Sequence, residues 1–116
     1  MAILNKKQIL SAEDKRTEEI NIPEWGGSVI ISTISGTARD AFEQSLVDGK
    51  GNYKPKNVRA KLLIASCVNE KGAPLFTKED IVALGNKSGA ALDRLFAAVQ
   101  KLNAVTDEDV EELAKN

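Results

Sequence analysis

Histidine does not occur anywhere in the 116-residue chain. The side chain that most often moves protons near neutral pH, and the commonest metal ligand, is therefore missing. Chemistry would have to rest on carboxylates, lysines, Tyr53 and the single thiol, Cys67. Glu18-Glu19 and Glu111-Glu112 are adjacent acids. Neighbours in a strand point to opposite faces and neighbours in a helix do not meet, so neither pair makes a general acid–base dyad. Asp107, Glu108, Asp109 and Glu111 form an acidic patch. It lacks the glycine bend and alternating ligands of a calcium loop, and reads as acids at the positive end of a helix dipole. Gly49-Lys50-Gly51 and Trp25-Gly26-Gly27 lack the Lys-Ser/Thr ending of a phosphate cradle and read as turns. Cys67 lies among Ile64, Ala65 and Val68, which marks a buried thiol with no histidine to activate it. No metal or cofactor site is expected.

Two features are candidates for binding instead. Lys50, Lys54, Lys56, Arg59 and Lys61, with Tyr53, form a local basic cluster. No second basic stripe supports it and the net charge is −1, so it reads as a solvated, mobile loop and not a nucleic-acid surface. Trp25 sits at a turn tip, where a large aromatic either folds back or anchors a partner.

The elements that hold these residues follow from period and punctuation. Ile3, Leu4, Ile9 and Leu10 suggest a short helix over 3–12. Ile20 and Ile22 alternate with Glu19 and Asn21, and Ser28 to Ile34 is rich in β-branched residues. With Pro23-Glu24-Trp25-Gly26-Gly27 between them, these runs predict a β-hairpin. Ser35 or Thr37 caps a helix with Ala38, Ala41, Phe42, Ser45 and Leu46 on one face. A helix over 57–68 is apolar nearly all round and therefore buried. Thr77-Lys78-Glu79-Asp80 is a capping box opening a helix that Gly85 ends. Ser88 caps a longer helix with Leu92, Leu95, Phe96, Val99 and Leu102 in its stripe. A last helix begins at Thr106 and carries Val110 and Leu113. The prediction is one α+β domain over 1–116, with a short helix and hairpin in 1–34 and four to five helices in 35–116; nothing after Ser35 reads as strand.

Composition agrees with a globular chain, at 42% apolar and 28% charged residues. No run approaches the ~18 apolar residues of a membrane span, and the first residues lack a secretory signal, so a cytosolic protein is expected. The helices over 77–85 and 88–103 have the outline of a helix-turn-helix, which gives a small DNA-binding regulator as an alternative.

Six stretches, in order over nearly the whole length, resemble the tail assembly chaperones of long, non-contractile-tailed bacteriophages and prophages. They are Leu4 to Leu10, Ile22 to Val29 (Ile-Pro-Glu-Trp-Gly-Gly-Ser-Val), Ser35 to Glu43, Asn57 to Leu63, Pro74 to Asp80, and Leu84 to Ser88 leading into Leu92-Asp93-Arg94-Leu95-Phe96. The resemblance implies a protein that is not an enzyme. It would coat the tape-measure protein in the host bacterial cytoplasm, recruit tail-tube subunits, self-associate, and be absent from the finished tail. Trp25, Val29, Ile31, Val110 and Leu113 are the expected partner-binding residues, from the hairpin and the last helix.

Overall fold

The structure, a computed structural model, describes residues 2–104. Thr17–Ile22 (β1) and Gly27–Ser32 (β2) form the expected antiparallel hairpin, with Ile20 opposite Val29 and Ile22 opposite Gly27. Alternation decides which side chains go inward: Ile22 and Ile31 are buried, while Glu19 and Asn21 are exposed. Pro23–Trp25 makes one 3-10 turn between the strands. Gly26 ends it at φ 71°, a left-handed conformation that suits a residue without Cβ, and donates its N–H to the Pro23 carbonyl at 3.1 Å.

A third strand, Cys67–Val68 (β3), pairs with β2 and makes the sheet order β1-β2-β3. This corrects two expectations from the sequence, that nothing after Ser35 is strand and that the buried helix extends to residue 68. That helix, α3, is Val58–Ser66. The buried Ser66 hydroxyl donates back to the Leu62 carbonyl at 2.9 Å, and Cys67 turns extended at φ −80°, ψ 132°. Cys67 and Val68 are both buried, and two apolar residues carry no period that separates strand from helix. Asn69 then reverses the chain, its side-chain oxygen accepting from the Lys71 and Ala73 N–H groups at 2.9 and 3.1 Å. The Leu75 N–H donates to the Cys67 carbonyl at 3.0 Å, so the segment around Pro74 covers the free edge of β3.

Ahead of the sheet lies Lys6–Ser11 (α1); the remaining helices are Gly36–Gln44 (α2), Ile81–Gly85 (α4) and Gly89–Asn103 (α5). Ser35 and Ser88 are their caps as expected, accepting from the Ala38 and Ala91 N–H groups at 3.1 and 3.4 Å. Thr77 and Asp80 close the predicted capping box around a 3-10 turn, Lys78–Asp80, that leads into α4. Gly85 is not the cap of α4, a position that falls to Asn86. Its lack of a side chain serves packing, because a Cβ there would lie 2.9 Å from the Asn57 side-chain oxygen.

The core is one cluster of buried apolar residues. Ala91, Leu92, Leu95 and Val99 of α5 meet Ala60, Leu62 and Leu63 of α3, together with Ile22, Ile31 and Cys67 of the sheet. The architecture is α+β, a three-stranded sheet with five helices among the described residues. The helix predicted from Thr106 lies outside them.

Candidate interaction surfaces

Trp25 is 37% exposed at the hairpin tip. The tip is tied to α5 through Glu24, whose carboxylate accepts from the Arg94 guanidinium at 3.1 and 3.3 Å. The Glu24 backbone N–H, and then Arg94, hold that carboxyl below the usual carboxylate range. Trp25 is thus displayed from a held turn and remains a candidate contact residue.

Ile31 does not. It is fully buried in the core cluster, and Val29, on the same face, is half-buried against it. The register explains this: with Ile22 opposite Gly27, the residues across from Ile20 and Glu18 are Val29 and Ile31, so both share the inward face with Ile22. The outward face instead carries Ile30 and Val68, with the 47% exposed Leu75 nearby. Counting back across the turn would have shown which face was which. Val110 and Leu113 lie outside the described residues.

The basic cluster is largely engaged within the chain. Lys54 is 3.7 Å from the Asp48 carboxylate, Lys61 donates to the Ser45 carbonyl at 3.0 Å, and Arg59 pairs with Asp93 while lying 5.9 Å from the centre of the Phe96 ring. Its loop, expected to be mobile, carries internal hydrogen bonds of its own. Asp48 accepts from the Lys50 and Asn52 N–H groups, both at 2.9 Å, and Val47 bridges to Tyr53. The would-be recognition helix, α5, is the central core helix, and its outward Asp93 and Arg94 are taken up in ion pairs. No observation favours a DNA-reading role for it.

Two apolar surfaces were not anticipated from sequence. One is a groove of about 490 Å³ between α2, α3 and the Phe76 segment, floored by Phe42, Ile64, Phe76 and Ile81, with Lys61 and Lys78 also lining it. The other is the N-terminal segment, where Ile3, Leu4, Ile9 and Leu10 are 97%, 59%, 57% and 75% exposed. Asn5 and Gln8 close a reciprocal capping box on α1 at 2.9 Å, so the segment is locally organised, yet no residue of α1 is buried.

As for chemistry, burial pushes the Cys67 thiol up to about 12, far from a reactive thiolate. Among the described residues no three cysteine or acidic side chains gather where they could hold a metal ion, and no helix is long and apolar enough to cross a membrane. The fold and its surfaces define a small α+β protein with exposed apolar faces.

Comparison with known proteins narrows this. Residues 5–116 match the family described as phage tail assembly chaperone, and the chain belongs to that family. Among solved structures, the bacteriophage HK97 tail assembly chaperone is similar in fold, with a TM-score of 0.63 and 22% identity over 87% of this chain and 95% of that one. None of the curated proteins matches.

Proposed function

We propose that this chain binds the tape-measure protein during virion assembly, keeps it soluble, and helps recruit tail-tube subunits to it. It acts without catalysis in the host bacterial cytoplasm, self-associates, and leaves before the tail is complete. The match of residues 5–116 to the tail assembly chaperone family carries this reading. The surfaces are consistent with it. A tape-measure protein is a long helical client, and an amphipathic helix lays its apolar face into a groove such as that floored by Phe42, Ile64 and Phe76.

Co-expression with the tape-measure protein from the same genome tests the proposal. The expected outcome is tape-measure protein that becomes soluble and co-purifies with this chain. A client that stays insoluble and is not captured overturns it.

A further inference from the structure

We propose that residues 3–10 form an arm that docks on the outer face of the sheet in a second copy of this chain. The inference rests on the self-association proposed above and names the surfaces that carry it.

The arm is built to present apolar groups. Asn5 is the cap of α1, which places Leu4 just before the cap and Ile9 at the fourth helical position, the two places that form a hydrophobic staple. Six residues are too few for a helix to be stable alone in water, so packing must supply what length does not. Within one chain none of α1 is buried. The root of the arm is nonetheless fixed. The Lys15 ammonium donates to the Gly72 carbonyl at 3.2 Å, and Arg16 exchanges bonds with Thr33 at 2.9 and 3.0 Å.

Charge selects the receiving surface. Residues 2–12 contain Lys6 and Lys7 and no acid. The groove over Phe42 and Phe76 is apolar, but Lys61 and Lys78 line it and would face the arm's own lysines. The outer face of the sheet holds a shallow depression of about 590 Å³ where Leu75 is exposed and Ile30 half-buried over the buried Val68, with Glu19 and Glu70 at its rim against a single Lys71. Apolar side chains with two lysines on one partner, and an apolar floor with two glutamates on the other, are complementary halves carried by the same chain. A second copy therefore supplies the occupant.

Sedimentation over a range of concentrations tests this. Wild type is expected to associate, and a chain lacking residues 2–11 to be monomeric with an unchanged thermal melt. Glu19→Lys with Glu70→Lys weakens association by roughly tenfold, as does Lys6→Glu with Lys7→Glu, and combining all four restores it. Should the lysines at 19 and 70 disturb the hairpin, Glu19→Gln with Glu70→Gln gives a smaller loss in the same direction. Association that survives removal of the arm overturns the proposal, as does a four-site variant no better than either pair. A wild-type chain that is monomeric throughout overturns the self-association reading as well.

Discussion

The α3–α5 core and the N-terminal arm are built from the same residue types and end in opposite environments. Leu63, Leu92 and Leu95 are 0%, 4% and 1% exposed, whereas Leu4 and Leu10 are 59% and 75% exposed. Both regions carry proper caps, at Ser88 for α5 and at Asn5 for α1. What differs is company. α5 is a fifteen-residue helix packed against α3 and the sheet, while the six-residue α1 precedes the first strand and buries none of its residues among the described ones. Local signals make a helix in both places, and only the longer one is consumed by the fold. The apolar groups of the arm stay largely exposed.

Thiol chemistry draws the contrast most sharply. Burial alone pushes the Cys67 thiol up to about 12, so almost none of it is thiolate at pH 8. A cysteine placed by Leu10→Cys, on an exposed residue, has an ordinary thiol. Against a disulfide reagent at pH 8 the residue at 10 is expected to react roughly a thousandfold faster, or more, than Cys67 in the folded chain. Comparable rates would show that the core opens as readily as the arm. The same group sets an alkaline limit on stability. The neutral thiol is favoured in the folded state, so its contribution is complete below 9.0 and declines as pH rises from there toward about 12.

Truncation in the two regions gives the next largest difference. Leu95→Ala empties space in the middle of the cluster and is expected to cost about 2–5 kcal/mol, read from urea midpoints. Leu10→Ala truncates a side chain that is 75% exposed and is expected to stay within about 0.5 kcal/mol at concentrations where the protein is monomeric. A large loss for Leu10→Ala would place the arm in its own core.

Much of this organisation was legible in the residues. Ile20 and Ile22 beside Pro23-Glu24-Trp25-Gly26 announce the hairpin, and Ser35, Thr77 and Ser88 announce three helix starts, because alternation and capping are local properties. What escaped depended on pairing or on company. Cys67–Val68 becomes strand because β2 offers an edge to it. Ile31, expected among the partner-binding residues, is turned inward by the register, and Ile30 takes the outer face. Gly85 looks like a helix stop and is a packing residue against Asn57. A period shows that a segment has an apolar side, and cannot show whether the same chain covers it.

The loop after α2 supplies the smallest effect and the converse of the arm. It too lies at the surface, but its needs are polar and are met within the chain. The Asn52 N–H, then the Lys50 N–H, hold the Asp48 carboxyl below its ordinary 3.8, with a smaller contribution from Lys54. A lowered value means the ionised form is favoured in the folded loop. Its contribution is therefore complete above 3.8 and is lost as pH falls through the depressed value. Nuclear magnetic resonance should show the Lys50 and Asn52 amides moving in that acid window. Asp48→Asn keeps an acceptor oxygen, so it should retain the turn and abolish the acid transition. Asp48→Ala should loosen the loop while leaving the global urea midpoint little changed, since the side chain sits outside the core cluster. A transition that persists in Asp48→Asn would assign it to another carboxylate. A global loss in Asp48→Ala would mean that the loop, unlike the arm, is required by the fold.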